Sequence, residues 1–211
     1  MISDLEIPCF FFPYNGNTFE ALMCLPSHFS FVGFIDDNPK LQNTAVHGFK
    51  IFHRNILEHY PKAKVFAAPG NPSNFKSRHK VIEGLGLLPH QAMNVIHNSV
   101  VVSPFSTIGK NVLIMPGVAI MPNVQIGNHV CILPNSVIHH DSIIGDYTLI
   151  GANVTVAGNV HVGKSCYIGS GSSIKNDVAI GAETLVGMGS VVINNIDKSM
   201  RIAGCPAKSI Q

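Results

Sequence analysis

Charge is scarce in this chain. Asp, Glu, Lys and Arg make up 12% of its 211 residues, about half the usual ~25%. The 14 basic and 12 acidic side chains nearly cancel, leaving a formal charge of +2. So small a charge gives no electrostatic pull toward nucleic acid or an anionic membrane surface. Long apolar runs are missing as well. None approaches the roughly 18 consecutive apolar residues of a membrane span. The opening Met1-Ile2-Ser3-Asp4-Leu5-Glu6 carries acids where a signal peptide carries Lys or Arg. A soluble, cytoplasmic protein is the expectation. Cysteine is sparse and unpaired: Cys9, Cys24, Cys131, Cys166 and Cys205 are odd in number, and no two have CxxC spacing. That argues against a disulfide framework and a zinc knuckle, and no metal is expected. Tryptophan is absent, which carries no functional weight.

What is present is a repeat. From Ile96, steps of six reach Val102, Ile108, Ile114, Ile120, Ile126, Ile132, Ile138, Ile144, Ile150, Val156, Val162, Ile168, Ile174, Ile180, Val186 and Val192, without a break. A helix cannot hold a period of six on one stripe, because 3.6 does not divide it. Gly and Pro recur within the hexads, which also excludes long helices. Short strands joined by tight turns fit. A longer period of eighteen is marked by Gly109, Gly127, Gly145, Gly163 and Gly181. Three hexads per coil make a triangular prism, in which residues eighteen apart stack at about 4.8 Å, the strand spacing.

Residues 1–95 lack the hexad and read as a small α/β unit with a parallel sheet. Strands are predicted at Pro8–Phe12, Phe29–Ile35 and Lys64–Ala68. Helices are predicted at Thr18–Leu25, capped by Asn17 or Thr18, and at Ser73–Leu85. Ligands of such units bind at the C-terminal ends of strands. Here those ends are Pro13–Asn17, Asp36-Asp37 and Pro69–Asn71.

Within the repeat, Ile138-His139-His140-Asp141-Ser142-Ile143 puts two imidazoles and a carboxylate at one corner. One coil later the same corner holds Ala157-Gly158-Asn159. An imidazole beside a glycine N–H suits acyl transfer, supplying a base for the nucleophile and a donor for the oxyanion. A neighbouring carboxylate can fix the tautomer. Surface-turn roles remain open for His139 and His140. His161 projects outward beyond that corner, as a ligand contact or a surface residue, and His129 reads as a surface turn residue. With Ile/Val inward, the preceding residues face out. On one wall they form an apolar stripe of Leu113, Cys131, Leu149, Tyr167 and Leu185. Such a stripe is expected to be covered; a subunit interface is the first expectation, the N-terminal domain or C-terminal tail the other.

The hexads at 96–197, the closing Ala203-Gly204-Cys205-Pro206-Ala207-Lys208 and the preceding α/β unit ending a strand in Phe34-Ile35-Asp36-Asp37 together resemble one subfamily of hexapeptide-repeat acyltransferases. It comprises sialic acid O-acetyltransferases and N-acetyltransferases of nucleotide-linked 4-amino-sugars. The resemblance implies a Rossmann-like domain over residues 1–95 that binds a nucleotide sugar. It implies a left-handed parallel β-helix over 96–211 for acetyl-CoA binding and catalysis. It further implies a homotrimer without nucleic-acid or membrane partners. The activity implied is acetyl transfer from acetyl-CoA to the amine of a UDP- or dTDP-linked 4-amino-deoxy sugar, in bacterial glycan biosynthesis. Transfer is direct, with His140 as base and Asp141 beside it.

The resemblance also aligns the Gly158 amide with the thioester carbonyl, and Ser170 and Met188 with CoA, whose phosphates would draw a nearby cation such as Lys208. Lys175 is a further cation near its phosphates. Substrate contacts fall on Asn15, Gly16, Asp36, Asp37, Gly70 and Leu149, the last standing where some relatives place a second histidine. Asp36-Asp37 match the family's acidic pair for base or ribose; a solvated turn is their other reading. The family's Gly-rich turn is replaced by Pro13-Tyr14-Asn15-Gly16-Asn17, whose single glycine leaves phosphate less room. O-acetylation of a sialic-acid-like sugar and a non-catalytic β-helix scaffold are the alternatives. A γ-type carbonic anhydrase is set aside, because its His-x4-His spacing is missing from residues 96–197.

Overall fold

The computed structural model describes residues 6–210. Of the two acids on which the leader argument rests, Asp4 lies outside that range. The chain opens with β1 (Ile7–Phe12), α1 (Gly16–Ala21) and β2 (Phe29–Ile35). Then come β3 (Ala45–Val46), β4 (Phe49–Phe52), α2 (Ile56–His59), β5 (Lys64–Ala67) and α3 (Arg78–Glu83). The strands form one sheet in the order β3-β4-β2-β1-β5, parallel except for β3. β2 matches its predicted span, and β1 and β5 differ by a residue. Both helices start and stop differently from expectation. Asn15, not Asn17 or Thr18, caps α1, accepting the Thr18 N–H at 2.9 Å. Single-turn 3-10 segments at Leu22–Cys24 and Phe75–Ser77 take up residues read as α-helix. The β3–β4 hairpin went unread, since strands of two to four residues carry too few alternations to register.

From Val95 onward the chain winds through two-residue strands in three parallel walls. The eight-stranded wall runs through Val95–Ile96, Leu113–Ile114, Cys131–Ile132, Leu149–Ile150, Tyr167–Ile168 and Leu185–Val186, and ends in a short antiparallel pair. The six-stranded wall contains Val137–Ile138 and Thr155–Val156, and the five-stranded wall Ile143–Ile144 and His161–Val162. Up to Val192 every register is eighteen residues, as in Cys131↔Leu149↔Tyr167. From Ile114 on, the repeated Ile and Val side chains are buried in one continuous core. From Ile108 to Val186, the turn residue three places after each repeat position lies in the left-handed region. Asn111, Asn123, Asn135, Asp141, Asn153, Asn159 and Asp177 have φ of 54–64°, a conformation their short polar side chains tolerate best after glycine. Buried hydroxyls bind the coils at the corners. Ser142 donates to the Ala157 carbonyl at 2.9 Å and accepts the Val160 N–H at 3.1 Å. Ser136 and Thr148 repeat the pattern.

The outward stripe is not a free face. Leu113, Cys131 and Leu149 are 0%, 1% and 6% exposed within this single chain, and Tyr167 and Leu185 pack against the same cluster. Phe11, Phe34 and Phe66 of the N-terminal sheet cover them. The first expectation, a subunit interface there, is therefore corrected in favour of the second. The reason lies in β1: Phe10 and Phe12 face one side, toward Tyr60 and Ile82, while Phe11 faces the other. A sheet apolar on both faces needs two covers, and the prism wall is one of them. No described helix is long and apolar enough to cross a membrane.

Candidate functional site

His140 and Asp141 occupy the edge between the six- and five-stranded walls. Asp141 adopts φ 61°, which turns its carboxylate back on its neighbour. His140 Nδ1 lies 2.7 Å from Asp141 Oδ2. A carboxylate can only accept, so Nδ1 carries the hydrogen and Nε2 presents its lone pair. Asn123, one coil earlier, donates to the other oxygen, Oδ1, at 3.1 Å. The two hydrogen bonds, that of His140 first, hold the Asp141 carboxyl below the usual carboxylate range. Both side chains stay half open to solvent, at 58% and 50%, so ligand can reach them.

The His140 ring lies over Gly158. A Cβ built on Gly158 would fall 2.6 Å from Cε1 and 2.7 Å from Nε2; only glycine leaves room. Gly158's carbonyl accepts the Asp177 N–H at 3.2 Å, and Asn159 ties back to the His140 carbonyl at 2.9 Å. Among the described residues the Gly158 N–H meets no acceptor. A lone-pair base and an unengaged main-chain donor therefore share one edge. His139 sits beside them, its N–H paired to the Val156 carbonyl. His161, exposed on the five-stranded wall, lines an open groove with Ile143, Gly145 and Lys198.

The expected CoA residues divide. Ser170 and Met188 stack on the edge between the eight- and six-stranded walls, where Ser170 Oγ accepts the Ala152 N–H at 3.1 Å and Met188 is exposed. Lys208 lies on the terminal antiparallel strand, also exposed. None shares an edge with Gly158: twelve residues separate Gly158 from Ser170, and only multiples of eighteen return to the same edge.

Four of the expected substrate residues, Asn15, Gly16, Gly70 and Leu149, line a second cleft, whose lining does not include Asp36 or Asp37. Asn15, Gly16, Asn17, Gly70 and Asn71, at the C-terminal ends of β1 and β5, line about 520 Å³. Asn17, Gly70 and Asn71 continue into about 140 Å³ against Leu149, Cys131 and Tyr167. Part of this cleft is already occupied by internal bonds. The Asn15 carboxamide caps α1 and donates to the Ala68 carbonyl. Asp36, expected to read the nucleotide, is buried and accepts the Tyr14 and Asn38 N–H groups at 3.0 and 2.8 Å. Asp37 is paired with Arg54, whose guanidinium lowers the Asp37 pKa.

Four residues escaped the sequence reading. Asn123 and Asn176 sit one coil from Asp141 and Gly158, and the eighteen-residue step would have found both. Arg78 is 1% exposed beneath Gly70 and donates to the carbonyls of Pro69 and His129 and to Cys131 Sγ. Asn111 holds both backbone groups of Ala67 and faces His129 Nδ1. His129, expected on the surface, is therefore half-buried and stacked on Tyr147. Burial, then the Arg78 charge, lowers its pKa.

A family described as bacterial transferase hexapeptide (six repeats) matches residues 105–140, 123–158 and 141–176. No curated protein matches the chain. Among solved structures, a GDP-perosamine N-acetyltransferase from Caulobacter crescentus, in complex with CoA and GDP-perosamine, is 27% identical over 98% of both chains at TM-score 0.86; the protein there is a variant with a histidine replaced by alanine. WeeI from Acinetobacter baumannii is 25% identical over 97% of this chain and 100% of its own, at TM-score 0.81. The acetyltransferase domain of PglB from Neisseria gonorrhoeae, in complex with acetyl coenzyme A, shares the fold at 21% identity and TM-score 0.86, over 97% and 100%. The chain thus carries bacterial transferase hexapeptide repeats over residues 105–176 and, along almost its whole length, resembles a solved GDP-perosamine N-acetyltransferase.

Proposed function

We propose that the protein transfers the acetyl group of acetyl-CoA to the amine of a nucleotide-linked 4-amino-deoxy sugar, in bacterial glycan biosynthesis. The observation that carries this reading is the edge where His140 Nε2, its tautomer set by Asp141, lies over Gly158. The acceptor nitrogen attacks the thioester carbonyl carbon and gives its proton to Nε2. The developing oxyanion is met by the Gly158 N–H. Collapse breaks the carbon–sulfur bond, and the imidazolium returns the proton to the leaving thiolate. In this reading the N-terminal α/β unit is Rossmann-like and holds the nucleotide at the ends of β1 and β5, and the prism is a left-handed β-helix.

The same geometry supports a homotrimer. Within one chain the nucleotide cleft lies against the eight-stranded wall, whereas His140 stands on the edge opposite that wall. A sugar held by one copy meets the His140 of a neighbour. Ser170, Met188 and Lys208, away from the Gly158 edge, serve CoA as the facing side of the same intersubunit groove.

The test is thiol release from acetyl-CoA with GDP-, UDP- and dTDP-linked 4-amino-sugars and free nonulosonic acids. Turnover with at least one amino-sugar, lowered ~10²-fold or more in His140→Ala, is expected. Turnover confined to the nonulosonic acids would make the acceptor a hydroxyl. No release with any acceptor would overturn the assignment.

A further inference from the structure

The edge that carries His140 is a column read every eighteen residues: Pro122, His140, Gly158, Asn176 and Asn194. Its next member after Gly158 is part of the same crevice. Asn176 Nδ2 lies 3.2 Å from the point a Gly158 Cβ would occupy, the point on which the His140 ring also converges. The imidazole and the carboxamide therefore flank Gly158 from the coils on either side. Neighbouring carboxamides are differently employed. Asn123 donates to Asp141, and Asn159 donates to Asp177 at 2.8 Å. Asn176 is exposed, and among the described residues its carboxamide has no hydrogen-bond partner. A turn-capping role would show as a bond to nearby backbone; none is made.

Resting on the acetyl-transfer reading, we propose that Asn176 is a second donor of the acyl site. Its Nδ2–H and the Gly158 N–H together bind the thioester carbonyl oxygen and the oxyanion that forms when the acceptor nitrogen adds to the carbonyl carbon. Asn176 exchanges no proton. Its carboxamide stays neutral across the working pH range, so it polarises the carbonyl without competing with His140 for the acceptor's hydrogen. A donor on each side of the carbonyl oxygen also fixes the face open to the amine.

The experiment compares Asn176→Ala and the near-isosteric Asn176→Asp with wild type, using whichever acceptor the panel above identifies. Removing one oxyanion donor typically costs ~10²–10³ in kcat. Both variants are expected to lose turnover on that scale while acceptor KM and desulfo-CoA affinity stay within about threefold. Asn176→Asp is expected to be the slower, because a carboxylate repels the oxyanion. The pH profile of Asn176→Ala keeps its wild-type shape, which a lesion in the His140–Asp141 pair would not allow. Wild-type kcat in both variants, or a loss confined to KM, overturns the inference and leaves the acetyl-transfer reading standing. An inactive wild type overturns that reading first and this inference with it.

Discussion

Replacing Gly158 by alanine adds one methyl group at the point where the candidate chemistry converges. No positive φ constrains this glycine, so alanine costs the backbone little there. The new Cβ would lie 2.6 Å from His140 Cε1 and 2.7 Å from Nε2, whereas ordinary contact begins at 3.4 Å. The ring must retreat by roughly 0.8 Å or swing out of its rotamer. Its Nδ1 bond to Asp141, 2.7 Å long, stretches or breaks. A misplacement near 1 Å can cost about 10² in rate. Gly158→Ala is therefore expected to lower kcat by about 10²-fold in the thiol-release assay, with the melting temperature within a few degrees of wild type, since the ring moves toward solvent. A variant with wild-type kcat would refute the argument, because the imidazole would then act from somewhere other than above Gly158.

Leu113→Ala is expected to destabilise the fold by about 2–5 kcal/mol in urea titrations, because Leu113 is fully buried between the N-terminal sheet and the prism; an unchanged midpoint would mean the two units do not pack there. Iodoacetamide at pH 8 is expected to label Cys205 alone in the folded protein and all five cysteines after unfolding, since the other four are buried. Burial raises Cys9 to about 12 and Cys24 and Cys166 to about 11 from an ordinary 9.0. A pKa raised by folding leaves stability intact below the unfolded value and removes it as pH rises through the folded one. Alkaline unfolding is therefore expected between about pH 9 and 12, and circular dichroism unchanged to pH 12 would contradict it.

The prism was legible because its information is local and periodic. Ile and Val every sixth residue define the inner face, Gly and Pro within the hexads call for tight turns, and the step of eighteen sets His140 against Gly158. The same arithmetic separates Ser170 and Met188 from Gly158 by an edge, and selects Asn176. The N-terminal third was read more coarsely. Its long strands stand out, but Ala45–Val46 and Phe49–Phe52 are too short to carry a period.

By itself, then, the order of residues determined the three-walled coil, its inward face, its turns and the His140–Asp141 corner, because each follows from spacing along the chain. Tertiary structure alone decided which partner covers the Leu113–Leu185 stripe, whether Asp36 and Asp37 stand free or are held by Tyr14, Asn38 and Arg54, and that Arg78 is buried under Gly70. These outcomes depend on docking two surfaces far apart in the chain. An apolar stripe specifies that something must cover it, but only shape complementarity with a particular sheet specifies what does.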